Sequence, residues 1–331
     1  MKVVIPLAGY GTRLRPHTYT KPKPLINVAG KPVLGHLLDK LSVLDVSEYI
    51  FVVGYLGDQI AEYISEHQDV PAQFVEQKEM LGQSHAIYLA KEYIDTDEPV
   101  FVVFGDHIFE TAFDLIQNPQ SDAVIYVKEV EDPRKYGVVM MNDEGHIINF
   151  VEKAENPPSN LAIIGLYYIN SGKKLVAALD RQINVDDKKT KNEYYIADAL
   201  QYLVDDGLTF LPETVPSWLD CGNPEAVLAA NQFLLSTGGL DNSSETTPTD
   251  SIIIPPVRID PSATIKHSVI GPNVTISAEC HISRSIMRNT IVGEGASITN
   301  AHLEGSLVGQ FASVEGTYNA VNVGDSSSIK F

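Results

Sequence analysis

Short apolar runs alternate with amphipathic stretches through the first two thirds of the chain. VVIPL (3–7), YIFVV (49–53), AQFVEQ (72–77) and PVFVVFGD (99–106) read as buried strands. Between them, PVLGHLLDKLSVL (32–44) and SHAIYLAKEYI (84–94) carry apolar residues at helical spacing. The alternation predicts strand–helix–strand units in a Rossmann-like α/β fold with a mostly parallel sheet, which takes its ligands at the carboxyl ends of the strands. The pattern then changes. DAVIYVKEV (122–130), YGVVMMND (136–143), HIINFVEK (146–153) and LAIIGLYYIN (161–170) are strand-like pieces separated by turn signals, and predict an antiparallel insertion forming one wall of a cleft. Two helices are expected around NEYYIADALQYLVDD (192–206) and NPEAVLAANQFLL (223–235).

Residues 237–250, TGGLDNSSETTPTD, are small, polar and aperiodic, as in a linker. Beyond them an aliphatic residue recurs at steps of five or six: Ile259, Ile265, Ile270, Ile276 and Ile282, then Ile298, Leu303, Val308 and Val314. A helix needs a period of 3.6 and a sandwich strand a period of two, so the spacing points to a short left-handed parallel β-helix of hexapeptide repeats. The expected division is 1–236 for the main domain, 237–250 for the linker and 251–331 for the β-helix. Stacked coils hide their apolar ends best against another copy, so a homo-oligomer through this tail is expected, or a regulatory role for it. His267, His281 and His302 read as solvated coil residues rather than as bases for acyl transfer.

Charge sharpens the functional reading. The 331 residues carry 24 basic and 43 acidic side chains, a formal net charge of -19, which argues against nucleic acid or an anionic membrane as partner. Yet Met1 to Leu38 holds six Lys or Arg and no acid, a local island suited to a small phosphorylated ligand. Two distant cysteines suggest neither a disulfide framework nor a zinc site, and no run is apolar enough for a signal or membrane segment, so a cytoplasmic protein is expected.

Within the island, Gly9 and Gly11 follow the first strand without the third glycine of a dinucleotide fingerprint, and no phosphate-loop GxxxxGK[ST] occurs. Arg13 and Lys23 follow as a fixed and a flexible cation. Asp106 closes VVFGD and Asp220 lies in WLDCG; two carboxylates in such positions suit Mg²⁺. The run from Gly9 to Leu25 contains G-x-G-T-R-x-x-P-x-T-x-x-x-P-K-P-L without a gap.

This run, with EQKEMLGQSHAI (76–87), FGDHIFE (104–110), KYGVV (135–139), VEKAENPPSNLAIIGLYYI (151–169) and SWLDCGNPEAVLAAN (217–231), resembles the sugar-1-phosphate nucleotidyltransferases, and among them the glucose-1-phosphate thymidylyltransferases of the long form. The resemblance implies that a nucleoside triphosphate and a sugar 1-phosphate are joined to give a nucleotide sugar and pyrophosphate, with Mg²⁺ held by Asp106 and Asp220. It implies catalytic roles for Arg13, Lys23 and Asp106. Nucleotide contacts would come from Leu7, Ala8, Gly9, Gly11, Thr12, Arg13, Gln77 and Gly82, and sugar-phosphate contacts from Gly137, Glu152, Lys153 and Gly165. A glutamine amide at position 77 complements uracil or thymine and can equally pair adenine, while a register shift to Glu76 would suit guanine; with the resemblance, dTTP, or UTP, and glucose 1-phosphate are the expected substrates. Mannose-1-phosphate guanylyl transfer, uridylyl transfer to glucose or N-acetylglucosamine 1-phosphate, and a non-catalytic scaffold are the alternatives. Pro24 after the lysine and Leu7 before the loop depart from the thymidylyl pattern, and His107 stands where asparagine is frequent.

Overall fold

The structure is a computed structural model and describes residues 1–190, 192–243, 248–317, 323, 326 and 328. Residues 244–247 of the expected linker and most of the chain beyond Thr317 lie outside the described residues. The chain packs as two compact units, one of Met1–Ile26 with Pro32–Asn223, the other of Asn27–Lys31 with Pro224–Phe331.

The first unit is built on a nine-stranded sheet. Strands β1 (Lys2–Pro6), β2 (Glu48–Val53), β3 (Ala72–Glu76) and β4 (Val100–Val103) run parallel in the order β4-β1-β2-β3. In β1, β2 and β4 the residues alternate between two buried faces. Val3, Ile5, Phe51 and Phe101 pack with helices Val33–Leu41 and Gly57–His67, while Val4, Ile50, Val52 and Val102 pack with helix Gln83–Leu89. Burial on both faces explains why β1, β2 and β4 lack polar alternation; β3, expected as a buried strand, instead forms the sheet edge with Phe74 and Glu76 exposed. The helix Gly57–His67 buries Ile60 and Ile64, with Tyr63 partly packed beside them, a stripe too thin to stand out in the sequence.

A short strand β5 (His107–Glu110) leaves the main sheet after β4. Strands β6 (Ala123–Glu129), β7 (Gly137–Met141), β8 (Ile147–Glu152) and β9 (Leu161–Ile169) are the expected antiparallel set. They extend the central sheet: β9 pairs antiparallel with β4, β6 and β7, and β7 with β8. Strand β10 (Phe210–Thr214) adds parallel to β6, and β11 (Ser217–Asp220) pairs antiparallel with β5.

In the second unit, parallel strands stack as successive coils. Ile265 lies beside Ile282, Ile282 beside Ile298, and Ile298 beside Val314, and on another side Ile259 lies beside Ile276 and Ile276 beside Val292. Hydrogen bonds linking equivalent positions span 16 or 17 residues, so each coil is slightly shorter than three full hexapeptides. Corners are turned in the left-handed backbone region by His267, Arg284 and Asn300 in one column and by Asn273 and Asn289 in another. The latter two asparagines bond to each other at 2.8 Å. His267, His281 and His302 are all exposed.

Helix Pro224–Thr237, placed by the sequence reading before the linker, packs in this second unit against the coils. Its buried Asn231 explains the attachment: Oδ1 accepts from the Ala29 amide at 2.9 Å and the Thr275 hydroxyl at 2.6 Å, and Nδ2 donates to the Asn273 carbonyl. A buried amide so satisfied fixes one docking register, which a purely apolar helix face would not.

Candidate active site

Three chain crossings at the carboxyl ends of β1, β3 and β4 shape a cleft of about 420 Å³. It is lined by Leu7, Ala8, Gly9, Gly11, Thr12 and Arg13 of the glycine turn, by Lys23, by Gln77 and Gly82 after β3, and by Asp106 after β4. Ten of the residues singled out in the sequence thus come together on one surface. The turn is shaped by Gly11, whose φ of +60° is left-handed and whose missing Cβ leaves room for Lys23 Cβ and Thr18 Cγ2, each 3.0 Å from where it would stand. Thr18 closes the turn by donating to the Gly11 carbonyl at 2.9 Å. Beside it, a side chain at Gly105 would overlap Leu7, and one at Gly222 would meet Arg13 and Asp220, so both stretches of backbone approach closely because nothing projects from them.

Asp106 and Asp220 meet through strand pairing. In β5–β11, Asp220 stands opposite His107, and the Cys221 amide donates to the Asp106 carbonyl at 3.0 Å. Asp106, His107 and Asp220 each offer a ligand atom, all within 4.8 Å of one another. Lys23, on a 3-10 turn (Lys23–Leu25), hydrogen-bonds Asp106 and lies 3.7 Å from Asp220, while Arg13 reaches Asp220 at 4.0 Å. Burial would raise the Asp106 carboxyl, but the charge of His107 and the charge and hydrogen bond of Lys23 outweigh it and hold the group well below the usual carboxylate range. His107 is buried; its Nδ1 donates to the Ile164 carbonyl at 2.7 Å and its Nε2 faces Asp106 at 3.3 Å. It is a fully partnered neighbour of the acid pair, with Trp218 set edge-on against its ring.

The Glu76 alternative ends in solvent: that side chain is exposed beside Lys78, whereas Gln77 is 5% exposed and lines the cleft. Gly82 has φ +106°, and a Cβ there would lie 2.6 Å from the Tyr194 backbone.

Gly137, Glu152 and Lys153 form a second cluster. Glu152 ends β8 opposite Gly137, whose missing Cβ leaves space for the carboxylate. Adjacent strand residues point to opposite faces, yet Lys153 Nζ lies 3.7 Å from Glu152. The strand has ended, and Lys153 takes a left-handed φ of +42° that turns its side chain back. Its ammonium then hydrogen-bonds Tyr195 at 3.2 Å. Gly165 is a bulge residue of β9 at φ +80°, where a side chain would strike Phe104 and His107. Sequence reasoning missed Glu193, which lines the cleft, and Tyr195, because their segment follows no strand and carries no spacing signal.

Burial pushes the Glu152 carboxyl up to about 7, against the pull of Lys153 and with the push of Asp198. The folded protein therefore keeps a proton that the unfolded chain releases near 4.5, and stability from this group falls as pH rises between those values. The stability of Glu152→Gln relative to the parent should thus grow from pH 4.5 to 8, by at most about 3 kcal/mol. Urea unfolding across that range reads the difference; a flat difference would mean the carboxyl titrates normally.

The Nucleotidyl transferase family pattern matches residues 2–237. The chain belongs to this family. A GlmU-like C-terminal hexapeptide pattern matches 227–298, taking in the helix that packs on the coils. The chain is 35% identical over 242 residues to a UTP–glucose-1-phosphate uridylyltransferase of Haloferax volcanii, covering 71% of this chain and 96% of that protein. It is 27% identical to a glucose-1-phosphate thymidylyltransferase of Streptomyces antibioticus over 100% of this chain and 99% of that one. A crystal structure from Bacillus anthracis, named for glucose-1-phosphate thymidylyltransferase and holding sucrose, superposes with a TM-score of 0.60 at 24% identity over 70% of this chain and 94% of its own, a likeness of fold. Among the described residues of this nucleotidyltransferase, no helix is long and apolar enough to cross a membrane.

Proposed function

We propose that the protein transfers a nucleotidyl group from dTTP or UTP to glucose 1-phosphate, releasing pyrophosphate, in the cytoplasm. The observation that carries this reading is the meeting, in one cleft, of the cationic glycine turn and Lys23 with Asp106, and the approach of Asp220 to Arg13 and Lys23 at its side. Two phosphate esters repel each other, so the reaction needs them positioned in line and their charge absorbed. The open backbone of the glycine turn and the Arg13 guanidinium suit the triphosphate; Lys23 is positioned to take the charge that develops at the α-phosphate. Asp106 and Asp220 offer hard oxygen donors close enough to share one ion and fit Mg²⁺, which when bound supplies further charge neutralisation. Lys153 would hold the sugar phosphate and Glu152 the sugar hydroxyls.

Pyrophosphate release measured with dTTP, UTP, GTP, CTP and ATP, each against glucose, mannose, galactose and N-acetylglucosamine 1-phosphates, tests the reading. Turnover is expected with a pyrimidine triphosphate and glucose 1-phosphate. GTP with mannose 1-phosphate as the best pair would favour guanylyl transfer, UTP with N-acetylglucosamine 1-phosphate the other uridylyl reading, and silence throughout a scaffold.

The coils support the reading of a homo-oligomer formed through the tail. Ile252 and Ile286 are 61% and 47% exposed and stand in one column, with Val269 between them. Ile252→Glu with Ile286→Glu should lower the mass seen by sedimentation while turnover persists; an unchanged mass would remove this face from the contact.

A further inference from the structure

One amide in the cleft has its orientation set from behind. Gln77 Nε2 donates to the Gly82 carbonyl at 3.3 Å and stands 3.1 Å from Nδ1 of His85, which lies in helix Gln83–Leu89. A carbonyl oxygen only accepts, so the NH₂ end of the amide must face Gly82. The His85 nitrogen beside that NH₂ must then present its lone pair, which leaves the ring proton on Nε2, and the Glu79 backbone carbonyl bonds the ring. Burial lowers the His85 pKa, against the opposing charge and carbonyl of Glu79, and so favours the neutral ring that this arrangement requires. Both amide hydrogens are drawn back, and Oε1 is the polar atom left for a ligand in the cleft that Gln77 lines.

We propose that His85 is a positioning residue for base selection, holding Gln77 with its oxygen forward so that the cleft accepts bases carrying a ring N–H and rejects cytosine and adenine. The proposal rests on the nucleotidyl-transfer reading above and deepens it. Uracil and thymine donate from N3 and guanine from N1, each complementing Oε1; cytosine and adenine bring a lone pair at N3 or N1 to that point, and their amino hydrogens, one ring position farther out, reach Oε1 only if the base shifts. A glutamine free to turn over would serve both classes, which is why the residue type alone leaves adenine open. Leaving two acceptors face to face in a closed site corresponds to about 10- to 100-fold in affinity.

Calorimetric titration of the full-length protein with UTP and with CTP, without sugar phosphate or turnover, tests this. The parent should bind UTP at least ~10-fold more tightly than CTP. His85→Ala should lower that ratio severalfold, since only the Gly82 carbonyl then holds the amide, and so should His85→Phe, which keeps the ring volume in case the smaller side chain unsettles the helix. His85→Asn, whose Oδ1 stands the same number of bonds from the backbone as Nδ1 and accepts, should retain most of the ratio. In turnover the loss should lie in KM rather than kcat. A parent that binds UTP and CTP equally, or variants that keep its ratio while folded, would overturn the proposal and leave nucleotidyl transfer standing. Absence of binding by UTP, dTTP, CTP, GTP and ATP alike would overturn both.

Discussion

Asp106→Asn is expected to reduce turnover at least ~100-fold at saturating substrates, the scale of removing an electrostatic stabiliser from a phosphoryl-transfer site. The substitution conserves shape and leaves the backbone bond from Cys221 in place, so its effect is electrostatic. In the parent, Asp106 stays ionised despite burial because His107 and Lys23 lie against it. An amide there offers a neutral oxygen, weakens any divalent ion shared with Asp220, and leaves the Lys23 ammonium facing a group without charge. Pyrophosphate release, with thermal unfolding to show that the variant is folded, measures the outcome. Near-normal rates would defeat the assignment of Asp106.

Lys23→Ala should produce a loss of the same order, at least ~100-fold, and for a connected reason. The Lys23 side chain is 12% exposed and bridges the two aspartates. Without it, two carboxylates within 4.8 Å of each other lose the cation that bridges them, which leaves their repulsion less offset and takes the cation from the phosphate as well. Lys23→Arg should recover only part of the activity. The stem packs where Gly11 lacks a side chain, and a planar fork cannot occupy the position of a compact ammonium between two carboxylates. Full activity in the arginine variant would show that only the charge matters; full activity in the alanine variant would remove Lys23 from the chemistry.

Much of this site was legible because its parts lie in short contiguous runs. The glycine turn, Arg13 and Lys23 fall within 15 residues of one another, and an acid after a buried strand is conspicuous wherever it occurs. The coils were legible for a similar reason, since stacking imposes a repeat on the sequence itself. Glu193, Tyr195 and His85 were harder to read. Their roles depend on which groups they touch across the fold, and neither spacing nor residue type carries that information. Glu152 and Lys153 posed a puzzle of facing that only a backbone angle, +42° at Lys153, resolved.

The amino-acid sequence alone determined the parallel strands, the coil repeat and the cationic turn, because burial of alternate faces, stacking of coils and local charge each leave a pattern along the chain. The tertiary structure decided that Asp220 meets Asp106 through the pairing of β5 with β11, that Asn231 ties its helix to the coils, and that the Gln77 amide presents its oxygen. Those outcomes depend on hydrogen-bond geometry between residues far apart in sequence, and such geometry exists only once the chain has closed upon itself.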